Sequence, residues 1–85
     1  MGPELEARLL THFPNASIEL IDESHLHAGH AGARAGGAHF KLKIVHARFN
    51  GLARVARHRL VYDAVADWMP QRLHALSVQA LSPEE

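Results

Sequence analysis

The sequence predicts one α+β domain over residues 1–85: two layers, in the order helix, strand, strand, helix, strand, around a mixed three-stranded sheet. Three observations carry this. Residues 5–13 and 52–69 repeat apolar side chains at helical spacing. Residues 17–22, 39–49 and 73–81 read instead as strands. A chain of 85 residues with 47% apolar composition has material for one small core and no more.

The first helix opens on Pro3, which suits a first turn, with Glu4 and Glu6 at the positive end of the helix dipole. Leu5, Leu9, His12 and Phe13 form its stripe, and Pro14 and Asn15 stop it. Residues 17–22 (SIELID) form the first strand, with polar Glu19 between Ile18 and Leu20. The Gly/Ala/His stretch HLHAGHAGARAGGAH, residues 25–39, is a long loop of a length more often functional than idle. In the second strand Phe40, Leu42 and Ile44 face one way and Lys41 and Lys43 the other, with His39 on the solvated lysine side.

Asn50 and Gly51 turn the chain into a second helix of about 16 residues, a length its 3.6-residue period supports. On a helical wheel Val55, Tyr62, Met69, Val65, Val61 and Trp68 form a stripe centred on His58, which reads as a core histidine. Tyr62 and Trp68 read as core, and Arg57 and Arg59 as solvated or facing a partner. Asp63 and Asp67 take the opposite face, where Arg59 can pair with Asp63. Pro70 ends this helix. Residues 73–81 form the third strand, with His74, Leu76 and Val78 on one face and Ser77 and Gln79 on the other.

Two strands joined by a loop pair antiparallel, whereas the third, returning after a helix, pairs parallel to the second. That topology gathers His25, His27, His30 and His39 with His74 at one edge of the domain. The zero net charge conceals a division: residues 24–62 carry seven Lys and Arg and no acid, and all nine acids lie outside them. Such a centre suits an anionic partner, while overall neutrality argues against strong nucleic-acid affinity. With no cysteine, the chain offers neither a disulfide nor a thiolate ligand. No membrane span or signal peptide is legible, so a cytoplasmic protein with no membrane partner is the expectation.

Several motifs in order and spacing resemble the BolA family. They are Asp22-Glu23-Ser24 followed by His27 and His30, then Gly37-Ala38-His39-Phe40, Phe49-Asn50-Gly51, Arg57-His58-Arg59-Leu60-Val61-Tyr62, and His74-Ala75-Leu76-Ser77-Val78. The resemblance covers essentially the whole chain. It implies a type II KH-like fold (αββαβ, or αββααβ) whose helices cover one face of the sheet. It also implies a non-enzymatic adaptor, monomeric alone, that forms a heterodimer with a monothiol glutaredoxin. The pair shares a [2Fe-2S] cluster with glutathione; the isolated chain carries none. By position, the ligands implied are His74 and His27, with His25 and His30 as alternatives in the same loop. Histidine can replace cysteine on one iron, which raises the potential and lets protonation tune it.

The departures are small. Ala38 stands where the family usually has Ser or Thr, and Ala53 where it often has Ser, leaving Asn50 or Gly51 to cap the helix. A second implied role is a DNA-binding regulator of stress response and cell morphology. Its contact residues, shared with any protein partner, would be Arg54, Arg57, Arg59, Lys41 and Lys43, with His58 and Tyr62 structural. The GxxG of Gly29 to Gly32 joins two strands rather than two helices, so it is not a nucleic-acid clamp. His25, His27 and His30 also match a common adventitious Zn or Ni pattern. No nucleophile with a base at motif spacing and no phosphate loop points to catalysis.

Overall fold

The computed structural model describes residues 1–23, 38–69 and 71–85. Its elements are α1 (Gly2–His12), β1 (Ser17–Asp22), β2 (Ala38–Val45), α2 (Arg54–Ala64) and β3 (Leu73–Leu81). Single 3₁₀ turns at Ala47–Phe49 and Ala66–Trp68 flank α2. The sheet order is β1-β2-β3, with β1 antiparallel and β3 parallel to β2, as the connections predict. The expected loop of residues 25–39 and the helix stop at Pro70 lie mostly or wholly outside the described residues.

Both helices cover the same face of the sheet. Leu5, Leu9 and Phe13 meet Phe40, Leu42 and Ile44 of β2, Leu73, Leu76 and Ala80 of β3, and Val61, Ala64 and Val65 around α2 in one core. Lys41 and Lys43 stay exposed on the uncovered face, so the alternation of β2 holds. α1 ends where Phe13 N–H still reaches Leu9 O at 2.7 Å, and Asn15 then turns the chain at φ 65°. Asparagine tolerates that left-handed region better than most side chains. His12 is exposed and does not join the stripe of Leu5, Leu9 and Phe13.

β2 stops at Val45, four residues before the expected end. The cause is His46, whose Nδ1 accepts from Arg48 N–H at 3.0 Å and so caps a 3₁₀ turn. Its other ring nitrogen then carries the proton and donates to Pro14 O at 3.0 Å, tying this turn to the end of α1. Phe49 is still buried, but from the turn rather than from a strand.

The expected long second helix is divided. α2 ends at Ala64 because Arg8 Nη1 takes the Ala64 carbonyl at 3.1 Å and Asp67 at 2.7 Å, giving the free helix end a partner from α1. Asp67 is therefore not paired within its own helix, and the pair that forms is Arg8 with Asp67, not Arg59 with Asp63. Trp68 is half-buried, with the Arg8 guanidinium 4.1 Å and that of Arg72 5.2 Å from its ring centre. The wheel is also rotated: Val61, Ala64 and Val65 are the buried seam, while Val55 is 70% exposed. The expected stripe leaned on Val55, which is exposed, and left out Ala64, which is buried. Neither Asn50 nor Gly51 caps α2; Ala53 is the N-cap, with no side-chain hydrogen bond. Gly51, at φ 74°, provides the turn before it.

Parallel strands differ in which carbonyls face each other, and β3 changes parity along its length. Arg72 O accepts from Ala38 N–H, whereas Leu81 O accepts from His46 N–H. One even-numbered and one odd-numbered carbonyl both point at β2, so one residue between them is extra. The register places it: Ala38 pairs with Leu73 and His39 with Ala75, leaving His74 as the bulge. Leu73 and Leu76, three apart, are thereby both buried, and His74 leaves the face of Leu76 and Val78 where alternation had put it. Beyond the bulge, even-numbered carbonyls face outward from the sheet. Tyr62 OH donates to Leu76 O, and Arg57 Nη1 to Ala80 O at 3.0 Å, so α2 occupies the edge that β3 leaves open.

Beyond β3, Glu85 Oε1 accepts from Ser82 N–H, from Ser82 Oγ–H and from Arg57 Nη1. These bonds, the Ser82 ones foremost, hold the Glu85 carboxyl at a pKa of about 2, and the hydrogen bond from Arg8 lowers that of Asp67. Carboxyls with folded pKa values below their unfolded ones add stability above about pH 4.5 that is lost as the pH falls toward 2. Thermal melts across that range are expected to show a progressively lower Tm, with a shallower decline in Glu85→Gln. The rotated wheel has its own test: Val61→Ala is expected to cost about 2 kcal/mol in urea denaturation, and Val55→Ala less than about 0.5 kcal/mol.

Candidate functional site

Three chain segments meet at one end of the sheet: the end of β1, the start of β2 and the start of β3. Glu23 N–H donates to His39 O at 2.8 Å and Ala38 N–H to Arg72 O at 3.2 Å, so backbone bonds fix all three. The bulge at His74 turns its ring out of the ladder, and the residue is exposed. The ring of His74 makes no hydrogen bond to the described residues, and it stands 5.0 Å from that of His39, centre to centre and tilted by 46°. His39 is not solvated, as its strand parity had implied, but only 9% exposed. Nothing local foretold the bulge that swings a second imidazole beside it.

His25, His27 and His30, with the GxxG of Gly29 to Gly32, lie outside the described residues. Residues 23 and 38, which bound that segment, both sit at this same end of the sheet. The arrangement offers an accessible imidazole nitrogen, with a second imidazole behind it, at the point where the histidine-rich segment leaves and rejoins the sheet. Imidazole ligates iron, zinc and copper alike, so the donor set accommodates iron without thiolate from this chain. Among the described residues no three His, Asp or Glu side chains converge on one metal position. A metal bound through His74 therefore draws its other ligands from elsewhere.

The candidate partner-binding cations are divided. Lys41 and Lys43 project from the uncovered face of the sheet, while Arg54 and Arg59 are exposed on α2, which lies against the other face. Arg57 is not a solvated cation. Its side chain is 13% exposed, and its guanidinium donates to Leu52 O at 2.8 Å, to Ala80 O and to Glu85. Nothing in the RHR motif separates this arginine from Arg59; two of its three partners lie 23 and 28 residues away in the chain. His58 is half-buried, not a core residue, and meets Tyr62 edge to face at 6.5 Å. Tyr62 is half-buried and structural, through its bond to Leu76 O.

His58, Arg54 and Arg57 line a groove of about 500 Å³ between α2 and β3, with Val78, Ala80 and Glu85 opposite. This groove lies toward the far end of β3 from His74. No described helix is long and apolar enough to cross a membrane.

Comparison with known proteins agrees with this architecture. The family model for BolA-like protein matches residues 9–85. SufE-like protein 1, chloroplastic/mitochondrial, of Arabidopsis thaliana is 39% identical over 99% of this chain, which spans only 24% of that protein. The DNA-binding transcriptional regulator BolA of Vibrio cholerae is 36% identical over 95% of this chain and 74% of its own length. Among solved structures, the BolA domain of SufE1 from Arabidopsis thaliana superposes with a TM-score of 0.83 at 36% identity, covering 98% of this chain and 92% of that one. The helix pair on one face of a mixed three-stranded sheet is thus a shared fold, and the chain belongs to the BolA family.

Proposed function

We propose that the protein is a non-enzymatic adaptor that binds a monothiol glutaredoxin and co-ligates a [2Fe-2S] cluster through His74 and a histidine of residues 25–30, His27 first among them. The observation that carries the reading is the exposed His74 ring, pushed out by the bulge at the end of the sheet that bounds the histidine-rich segment. The chain has no cysteine, so the thiolates would come from glutaredoxin and glutathione. When bound, the cluster would supply a transferable or redox-active iron–sulfur unit, suited to iron–sulfur trafficking or iron homeostasis. This chain's part is to present an imidazole nitrogen, to orient it from a rigid strand and to dock the partner. His39 packs beside His74 and restricts the positions its ring can take.

Mixing the protein with a monothiol glutaredoxin, glutathione and iron is expected to give a heterodimer whose visible spectrum differs from that of the glutaredoxin homodimer. His74→Ala should abolish the difference and His27→Ala should weaken it, with His25→Ala and His30→Ala close to wild type. A spectrum unaltered by His74→Ala would sink the ligand assignment.

A second reading, DNA binding, is favoured by the name of the Vibrio cholerae relative and by the exposure of Arg54 and Arg59 on α2. It requires duplex affinity that falls steeply with salt, and Arg59→Ala should reduce the salt slope by about one. Arg57→Ala is no test of it, because that side chain holds Ala80 and Glu85. Absence of duplex binding at low salt ends this reading.

A further inference from the structure

The groove between α2 and β3 already holds a carboxylate. Glu85 Oε1 sits on three donors: Arg57 Nη1 at 2.5 Å, Ser82 N–H at 2.8 Å and Ser82 Oγ–H at 2.7 Å. Two of the groups that make this cradle are also held by contacts that do not involve Glu85. The guanidinium of Arg57 is fixed by Leu52 O and Ala80 O, and Ser82 is buried directly after β3. The third side of the contact is a short turn, Glu85 N–H to Ser82 O at 3.1 Å, with only Pro83 and Glu84 between. All of Pro83, Glu84 and Glu85 are exposed. Opening that turn would leave a buried cation and two hydrogen-bond donors facing an unfilled oxygen position, and burial of donors without an acceptor is costly.

We propose that this cradle is a docking site for an acidic segment of a partner protein, one of whose side-chain carboxylates replaces Glu85, and that Glu85 occupies it as an internal stand-in. The surroundings fit such a segment. Arg54 and His58 line the same groove of about 500 Å³, which leaves room beyond a single carboxylate. Arg54 also begins α2, where the helix dipole favours negative charge. The preorganised guanidinium of Arg57 loses little freedom on binding, which favours a tight contact. The site is a poor match for a duplex, whose affinity rests on many phosphate contacts along a continuous basic stripe. Two further exposed cations, Lys41 and Lys43, lie on the uncovered face of the sheet instead. The internal carboxylate also acts as a threshold. Tethered by two intervening residues, it competes at an effective concentration in the millimolar range, so only a segment with several favourable contacts displaces it. The proposal is independent of any cluster at His74.

The test is an NMR titration of the isotopically labelled full chain with a blocked Ser-Pro-Glu-Glu peptide and its Ser-Pro-Gln-Gln counterpart. In Glu85→Gln the acidic peptide should produce saturable shifts at the Arg57 side-chain N–H and at the amides of Ala80 and Ser82. Wild type should bind about tenfold more weakly, as internal competition requires. The Gln peptide should give no saturable shift, and Arg54→Gln should weaken binding of the acidic one. Pro83→Gly, which loosens the turn while keeping the Glu85 carboxylate, should also raise peptide affinity above wild type and serves if Glu85→Gln unsettles the end of β3. The proposal is overturned by an absence of saturable shifts in both variants, by equal affinity in wild type and variants, or by an equal response to the Gln peptide. A short DNA duplex that shifts the same resonances at lower concentration than the peptide would likewise overturn the carboxylate assignment.

Discussion

The rest of the structure depends on how the free edge of β3 is held. Among the described residues β3 pairs with β2 alone, and its outward carbonyls would otherwise stand open beside a helix. Tyr62 takes that of Leu76 and Arg57 that of Ala80. These two α2 side chains, five residues apart, set the helix along the strand while Val61, Ala64 and Val65 bury themselves against the sheet. A buried hydrogen bond of this kind contributes about 1 kcal/mol net, less than the burial of one large apolar side chain. Its importance is directional: packing alone would tolerate sliding of α2 along β3, whereas two bonded carbonyls specify a register. That register brings Arg57 to Ser82 and leaves His74 clear of the helix.

The strand arrangement was legible because it rests on local patterns. β1 and β3 have the bounds their composition predicts, and the helix between β2 and β3 dictates parallel pairing. What was not legible has a common cause: partners distant in sequence. The bulge at His74 serves to bury both Leu73 and Leu76 against residues from α1, α2 and β2. A reading of LHALSVQAL by alternation alone has no reason to count one residue twice. The second helix ends early because Arg8, 56 residues away in sequence, satisfies the Ala64 carbonyl. Its inward face follows from the tertiary partners of Val61, Ala64 and Val65, and apolarity alone ranks the exposed Val55 above the buried Ala64. At the candidate site, His74 was legible through motif and topology. His39 and Arg57 were not, since the one depends on the bulge and the other on a carboxylate beyond β3.

The acid-free centre of the chain likewise changes meaning once folded. Its cations could have formed one stripe, but β-strand parity sends Lys41 and Lys43 to one face and the sheet separates them from α2. Of the three α2 arginines, Arg57 is neutralised by an acid from outside the acid-free span. A charge count in sequence windows therefore overstates the field that any one partner would meet. The remaining exposed pair, Arg54 and Arg59, belongs to a surface of local rather than global positive charge.

The bulge and the carboxylate cradle stand near opposite ends of the same strand. From His74 to Ser82 is eight residues of strand rise, about 25 Å, or roughly three times the Debye length at physiological salt. Direct electrostatic coupling between an imidazole at one end and a guanidinium at the other is accordingly screened out. The two places also share no residue, because His74 lies where residues 23 and 38 bound the histidine-rich segment, whereas the cradle follows the last residue of β3. The rigid element between them, parallel-paired to β2 and held at Leu76 and Ala80, keeps their separation constant. A protein that contacts both must therefore span that distance.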